Sequence, residues 1–392
     1  MQSAVIKAKR LGGLGIIAAV VLMTGCSTIQ SLNPFSSRTK TKTPPAALVE
    51  IANPMALRTA WQVSVGGSEQ YIFSPVQAGG SVFAASANGT VTRLDAATGR
   101  VDWRIDAGSK LTAGVGADAD NVVVAGQEGL LLAFDGAGKQ RWKGQASSEV
   151  LSAPVIGGGL VLIRSVDNRI SAYDLPTGTR KWSVQRSVPA LTLRNAPGMA
   201  IANQIAYVAM PGGRLLALTL NTGAVLWETA VGDPKGATEL ERISDTSGAP
   251  VVVGRDVCAV AFQGRVACFD VANGAPRWGK PLSSDVGIAA DERFVFAADE
   301  QGVVSALARD SGASVWRNTQ LGYHRLSAPS SFGRAVVVGD AQGYIHFLSR
   351  EDGAFLARTQ PDKGAIIAAP VVAGANLVFQ TQSGTVVALT TE

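Results

Sequence analysis

The chain has few side chains of the kinds that carry chemistry: its 392 residues include two histidines and three cysteines. It contains no nucleophile motif, no phosphate-binding loop and no cluster of residues with metal-ligand spacing. His324 and His346 are isolated in the sequence, so we expect each to have a structural role. The sequence therefore predicts no catalytic residues and no metal site, and it favours a protein that is not an enzyme.

Long apolar runs are also missing beyond the amino terminus, so no later segment is typical of a transmembrane helix. The net charge of the whole chain is only +5. Residues 1–25 hold three basic residues and no acidic one, so their removal reduces this charge to +2. Such a balance gives no basis for nucleic-acid binding.

The amino terminus has the parts of a secretory signal peptide. Three basic residues precede an apolar run over residues 11–23, which is too short to span a bilayer comfortably. Small residues then lead to Cys26, and this ending resembles a bacterial lipobox. The resemblance implies that residues 1–25 are a lipoprotein signal peptide and that Cys26 is lipidated. The alternative is an ordinary signal peptide with an incidental cysteine.

The residues after Cys26 are rich in Ser, Thr, Pro and Lys as far as residue 48. This composition predicts a lipidated flexible tether over residues 26–55, with parts stiffened by proline. Two or more acyl chains anchor a protein stably in a membrane. By resemblance to lipoprotein sorting in Gram-negative bacteria, Ser27 implies an outer-membrane location, with the protein facing the periplasm.

A repeat of about 40 residues, the length of a propeller blade, fills residues 56–392. Six of the seven tryptophans lie four residues after a glycine, and an eighth unit has Gly353 followed by Ala357 in the tryptophan position. A turn followed by a short alternating strand recurs in phase eight times, from Asn88-Gly89 to Ser383-Gly384. Each unit holds four runs of β-forming residues between turn residues, which is typical of a four-stranded blade. The tryptophans are positions 61, 103, 142, 182, 227, 278 and 316.

The two ends of the repeat predict how the ring closes. The strand around Trp61 has no three strands before it, and the strand after Gly384 has no fourth strand after it. We therefore predict an all-β protein, a single eight-bladed β-propeller of four-stranded antiparallel blades closed by its N-terminal strand. Closure leaves no loose sheet edge. The tryptophans are expected in the core rather than as ligand platforms.

Several stretches resemble known families. Residues 94–103 are similar to the repeats of pyrroloquinoline-quinone (PQQ) propellers, which occur in quinoprotein dehydrogenases and in the BamB lipoproteins. Residues 189–194, 238–245 and 324–353 resemble BamB specifically. That resemblance implies a non-catalytic scaffold of the outer-membrane β-barrel assembly (BAM) complex. It would bind the periplasmic POTRA domains of BamA and assist insertion of β-barrel proteins, with unfolded client chains as further candidate partners.

A propeller of this kind permits two other functions, that of a PQQ-dependent dehydrogenase and that of a periplasmic protein that binds peptides or carbohydrate in its channel. Dehydrogenases of this kind carry a vicinal disulfide and acidic calcium ligands, whereas Cys258 and Cys268 are not adjacent. We therefore expect no cofactor. The two cysteines lie on one hairpin. A two-residue loop would leave them facing opposite ways as buried thiols, which we favour, while one more loop residue would pair them as a disulfide.

Two connections between blades are longer than the others, residues 182–197 and 227–250. Both join an outer strand to the next inner strand at consecutive blade junctions, so they should form one patch on one face. Extra loop length on a rigid scaffold is where function concentrates.

Leu191, Leu193 and Arg194 lie in the first of these connections, and Asp245 lies in the second. By resemblance, these four residues match positions that BamB proteins use against BamA, and we expect them to be exposed. Ser247 stands where a second aspartate is expected. The alternative is that Leu191 and Leu193 alternate into the core as part of an ordinary strand.

Overall fold

The computed structural model describes residues 43–187, 189–194 and 196–391. The chain divides into two units, Met1–Pro44 and Pro45–Glu392. Of the first unit only residues 43 and 44 are described, so the predicted signal peptide, Cys26 and the tether up to residue 42 lie outside the described residues. Within the described ranges, no helix is long and apolar enough to cross a membrane.

The second unit is built from β-strands that form eight antiparallel sheets of four strands each. One short 3-10 helix, Gln127–Gly129, accompanies them. The strands in chain order are Leu57–Ser64 (β1), Val76–Ala78 (β2), Ser81–Ala85 (β3), Thr90–Asp95 (β4), Val101–Asp106 (β5), Gly116–Ala117 (β6), Asn121–Ala125 (β7), Leu130–Asp135 (β8), Gln140–Gln145 (β9), Val155–Gly157 (β10), Leu160–Arg164 (β11), Arg169–Asp174 (β12), Arg180–Gln185 (β13), Met199–Ala202 (β14), Ile205–Met210 (β15), Arg214–Thr219 (β16), Val225–Ala230 (β17), Thr246–Val253 (β18), Asp256–Ala261 (β19), Arg265–Asp270 (β20), Pro276–Pro281 (β21), Ile288–Ala290 (β22), Phe294–Ala298 (β23), Val304–Ala308 (β24), Ser314–Asn318 (β25), Ser330–Phe332 (β26), Ala335–Gly339 (β27), Ile345–Ser349 (β28), Phe355–Thr359 (β29), Val371–Ala373 (β30), Asn376–Gln380 (β31) and Thr385–Thr391 (β32).

Each of blades 1 to 7 uses four consecutive strands, beginning with β2–β5 and ending with β26–β29. Blade 8 combines β30, β31 and β32 with β1 from the other end of the chain. β1 runs antiparallel to β32, with Leu57 opposite Thr391 and Ser64 opposite Thr385. The predicted eight-bladed propeller and its closure by the N-terminal strand are both confirmed.

Burial follows the position of a strand within its blade. The second strand of most blades is buried along its whole length, as in β3 and β27, because it is covered by the neighbouring blades on both faces. The outer strand alternates between exposed and partly buried residues, as in β13. The hydrophobic core is therefore a ring of clusters between blades, and the outer strands face solvent.

The tryptophans pack between blades, as the sequence predicts. Trp142 of blade 2 donates its indole N–H to the carbonyl of Leu175 in blade 3 at 2.8 Å. Its ring covers Gly178, which has a φ of 71°, and a Cβ at that position would lie 2.6 Å from the ring. Glycine is thus required at this position for two reasons: its backbone adopts the positive φ readily, and it leaves space for the indole ring. This contact explains the spacing of glycine and tryptophan in the repeat.

The same indole bond joins every other junction that has a tryptophan. The donor and acceptor pairs are Trp61 and Ala96, Trp103 and Gly136, Trp182 and Leu220, Trp227 and Val271, Trp278 and Arg309, and Trp316 and Arg350.

Blade 7 has Ala357 in the tryptophan position, and the segment before β1 fills the space. Met55 is buried in one cluster with Ala357, Phe347 and Leu377. Its backbone N–H donates to the carbonyl of Leu356 at 2.6 Å. Residues 46–55, which we call the N-terminal strap, therefore lie on the propeller, although the sequence placed them in the flexible tether.

Cys258 and Cys268 form a disulfide rather than the two buried thiols that we favoured. The loop between β19 and β20 has the longer of the two lengths considered, so the cysteines lie directly opposite each other. Their Cα atoms are 4.0 Å apart, and both side chains are fully buried.

Candidate functional site

The two long connections meet on the structure through one carboxylate. Asp245, just before β18, accepts a hydrogen bond from the backbone N–H of Leu193 at 2.5 Å. Its other oxygen accepts from the backbone N–H of Gly212 at 2.9 Å. The connection between β13 and β14 is thereby tied both to the connection before β18 and to the β15–β16 turn. The predicted patch at consecutive blade junctions is present.

Three of the four predicted partner-binding residues are accessible on this patch. Leu191 is 46% exposed and lies outside any strand, so it is not a core residue. Arg194 is exposed and Leu193 is partly buried. The Arg194 guanidinium pairs with the carboxylate of Glu149 at 2.5 Å, which orients it on the surface. An apolar group beside a forked cation is a combination suited to protein interfaces.

Asp245 does not fit the expectation of exposure, since it is only 2% exposed. Burial raises the pKa of this carboxyl, while the hydrogen bonds from Gly212 and Leu193 act in the opposite direction. Both oxygens are already used inside the protein, so Asp245 acts by holding Leu193 and its neighbours in place. Ser247 is likewise buried and donates its hydroxyl to the carbonyl of Asp245 at 3.3 Å.

A cavity of about 160 Å³ lies beside Leu193, Arg194 and Asp245. Arg164, the last residue of β11, also lines it and is almost completely buried. Arg164 is not among the site residues predicted from the sequence. The available signal was a charged residue ending the apolar run of residues 160–163.

A second cavity of about 280 Å³ lies among the inner strands, where a channel-binding propeller or a PQQ enzyme would hold its ligand. Of the described residues that line it, Asp285 is the one that is ionisable, and the disulfide lies elsewhere, in the core between blades. PQQ and its calcium ion need several polar and acidic ligands, so the residues of this cavity do not fit them. Its lining includes Ile72, Ala153, Val155, Ala196, Met199, Ala249, Val251, Val286, Ile288, Ala328, Ile367 and Ala369.

The two histidines, which the sequence left isolated, meet at Asp340. His324 Nδ1 and His346 Nε2 both lie within 2.9 Å of the same Asp340 oxygen, and all three side chains are buried. Their ligand atoms are close enough to hold a metal ion. However, Arg358 donates its Nε–H to His346 Nδ1 at 3.1 Å, so this ring keeps its proton on Nε2, the atom a metal would need. The Arg358 charge further disfavours a cation.

This cluster instead holds the N-terminal strap. His324 Nε2 lies 2.9 Å from the carbonyl of Ala46, and Arg358 donates to the carbonyl of Val49 at 2.9 Å. The backbone N–H of Ala46 donates in turn to the carbonyl of Gly322. The histidines are therefore structural, and they fix a segment that is distant in sequence.

Comparison with known proteins identifies the family. The family model described as outer membrane protein assembly factor BamB matches residues 58–112, 87–318 and 300–392. The chain belongs to the BamB family. A BamB protein of Bordetella pertussis is 44% identical over 94% of this chain and 95% of its own length. A BamB protein of Burkholderia pseudomallei is 42% identical over 94% of each chain.

Solved structures agree with the family assignment. The crystal structure of BamB from Moraxella catarrhalis has a TM-score of 0.79 at 27% identity, covering 86% of this chain and all of that one. A quinohemoprotein alcohol dehydrogenase from Pseudomonas putida has a TM-score of 0.65 at 14% identity, covering 85% of this chain and 76% of that one. The second likeness shows the propeller fold alone. The BamB relatives are named as assembly factors, which supports a non-catalytic protein over a dehydrogenase.

Proposed function

We propose that this BamB-family chain is a lipid-anchored scaffold of the BAM complex. It faces the periplasm from the outer membrane, binds the POTRA domains of BamA, and assists the assembly and insertion of β-barrel proteins. The family assignment supports a role in outer-membrane protein assembly. The lipobox-like ending at Cys26 supports the anchor. Direct contact with unfolded β-barrel chains is a separate part of the proposal.

The observation that carries the partner surface is the exposed Leu191 beside Arg194 on a loop that the protein holds from within. An apolar side chain of this size gains free energy when a partner removes it from water. The Asp245 bonds to Leu193 and Gly212 fix the loop before the partner arrives. Less conformational entropy is then lost on binding.

The charged part of the surface is also held in position before a partner binds. Arg194 already pairs with Glu149, so its guanidinium is held at the rim of the cavity beneath the loop. Arginine at such a site can bind a carboxylate with two parallel hydrogen bonds. Asp245 belongs to the surface as a positioning residue, since it reaches no exposed position itself.

The test is a triple variant with Leu191, Leu193 and Arg194 changed to alanine. Truncation of an interface anchor often costs about 2 kcal/mol or more, so loss of three should abolish detectable binding to a purified POTRA fragment of BamA. The melting temperature should change little, because Leu191 and Arg194 are exposed and Leu193 is only partly buried, and such residues contribute little to stability. Val315→Ala is the matched control, because Val315 is 43% exposed on an outer strand of blade 6.

Retained binding by the triple variant would refute the partner surface. A collapsed melting temperature with normal affinity in the surviving folded protein would leave the leucines as packing residues. Cys26→Ser tests the anchor separately. This variant should fold normally and leave the membrane fraction, and mass spectrometry should find acyl groups on Cys26 only in the unsubstituted protein.

A further inference from the structure

A buried arginine lies beneath the loop of Leu191 to Arg194, and the described residues use little of its hydrogen-bonding capacity. Arg164 is 6% exposed. Its Nη2 donates to the side-chain oxygen of Asn168 at 3.0 Å, and its Nε–H is buried without an acceptor. A guanidinium carries five N–H donors. Within the described part of the chain, one of these five donors thus has an acceptor, the side-chain oxygen of Asn168.

Among the described residues, neither Asp245 nor Asp167, whose charges act on Arg164, accepts a hydrogen bond from its guanidinium. Both oxygens of Asp245 are used by the backbone N–H groups of Leu193 and Gly212. Burial lowers the pKa of Arg164 to about 10, while the charges of Asp245 and Asp167 oppose the shift. The side chain therefore stays charged at neutral pH. A desolvated cation without a bonded counter-ion is costly in free energy.

The Arg164 side chain forms part of a cavity that a partner could enter. The cavity measures about 160 Å³, several times the roughly 30 Å³ that one water molecule occupies in the liquid. It is also lined by Leu193 and Arg194, which lie on the proposed partner surface. A group of a few heavy atoms that docks against this loop can therefore reach Arg164.

We propose that this cavity is a subsite for one acidic side chain of the bound partner, whose carboxylate accepts hydrogen bonds from Arg164. The inference rests on the proposed function, because the partner that supplies the acid is the protein bound by the surface around Leu191. A basic side chain is disfavoured by Arg164 and Arg194 together. An apolar side chain would leave the Arg164 donors buried and unsatisfied.

The subsite would give the interface its specificity. Leu191 and Arg194 offer contacts that many surfaces could match, but a partner without the acid would seal Arg164 under the complex with its donors unpaired. Leaving a buried charge unpaired at an interface penalises the wrong partner strongly.

The first experiment replaces Arg164 with methionine, which has a long unbranched side chain without charge. Affinity for the purified POTRA fragment should fall by about 30-fold or more, as for a buried charge pair that loses one member. The melting temperature should stay within a few degrees, because removal of a buried unpaired cation offsets the lost bond to Asn168. Arg265→Met is the matched control, since Arg265 also has a buried Nε without an acceptor but lines no part of this cavity. It should bind normally.

The second experiment identifies the acid. Each aspartate and glutamate of the POTRA fragment is changed in turn to its amide, and each variant is measured against wild-type and Arg164→Met protein. Conversion of one acid to its amide should weaken binding to the wild-type protein. The same change should have little further effect on binding to Arg164→Met, since the interaction is already absent there. If Arg164→Met does not fold, the uncharged Arg164→Gln takes its place in the same cycle.

The outcomes separate the two claims. Failure of the wild-type protein to bind the fragment would overturn the proposed function. Normal binding by wild-type protein and by Arg164→Met would overturn the subsite and leave the proposed function standing. Effects that simply add for every acid would also overturn the subsite.

Discussion

The junction between the first and last blades depends on Trp61. This residue lies in β1, is buried in one cluster with Val82 and Leu94 of blade 1, and donates its indole N–H to the Ala96 carbonyl at 3.1 Å. Trp61→Ala should therefore destabilise the protein by about 3–5 kcal/mol. With an unfolding entropy of about 2.1 cal/mol/K per residue, the melting temperature of a unit of this length should fall by about 4–7 °C.

Two further variants divide that loss into its causes. Trp61→Phe keeps an aromatic ring but loses the indole donor, and it should cost about 1 kcal/mol. The penalty is small because Asn376 also donates to the Ala96 carbonyl, at 3.2 Å. Gly99→Ala should be strongly destabilising, since a Cβ there would lie 2.6 Å from the Trp61 ring. In the Trp61→Ala background the clash is gone, and the remaining cost is the strain of a φ of 71°.

Thermal unfolding of the three single variants and of the Trp61→Ala, Gly99→Ala double variant provides the assay. Trp142→Ala is the control, because it removes an equivalent contact from an internal junction. It should lower the melting temperature by a similar amount. An unchanged melting temperature for Trp61→Ala, or costs that add fully in the double variant, would refute the closure of the ring through this contact.

Three further predictions concern the rest of the fold. Met55→Ala should lower the free energy of unfolding by about 2–4 kcal/mol, because it opens the cluster around Ala357, and it should expose the strap to proteases. Glu50→Ala, at an exposed position of the strap, should do neither. Equal behaviour of the two variants would contradict the docking of the strap. Replacing Cys258 and Cys268 together with alanine should lower the free energy of unfolding in urea by roughly 2–3 kcal/mol. Thiol titration of the denatured wild-type protein should find no free thiols from this pair, and two free thiols would contradict the disulfide. Stability should also fall in acid, because burial lowers the pKa of His346 and outweighs the opposing effect of Asp340. The contribution of His346 to stability is complete above its unfolded pKa of about 6.5 and is lost as the pH falls through its folded pKa. His346→Gln should therefore flatten this part of a plot of urea midpoint against pH, and an unchanged plot would contradict a role for the cluster.

The propeller could be predicted because the residues that pack neighbouring blades together recur along the sequence with a regular spacing. Seven of the eight junctions place a glycine in a positive-φ turn beneath an indole ring, so a pair such as Gly178 and Trp142 marks a contact as well as a period. The ring closure followed from the missing strands at the two ends. The strap was missed because the predicted tether was extended through residue 55, although residues 46–55 are largely apolar, and because its partners, such as Gly322, are distant in sequence. Two signs of it were available, the unusual Ala357 and the apolar residues Leu48, Val49 and Ile51.

The candidate site was predictable in location but not in the role of each residue. Loop length and resemblance placed Leu191 and Arg194 on an accessible patch, where the structure has them. Asp245 was expected beside them at the surface, yet it is buried because backbone donors from Leu193 and Gly212 converge on it. Such convergence depends on three chain segments together, and no single segment of the sequence reveals it.

Site-specific photo-crosslinking tests the proposed partner surface most directly. A photoreactive amino acid is placed at Leu191 in the full-length lipoprotein in cells, and at Val315 as a control of similar exposure on blade 6. The account predicts that position 191 yields one major adduct containing BamA, with the link in a POTRA domain, and that position 315 yields none. An adduct with BamA from 315 but not from 191 would contradict it.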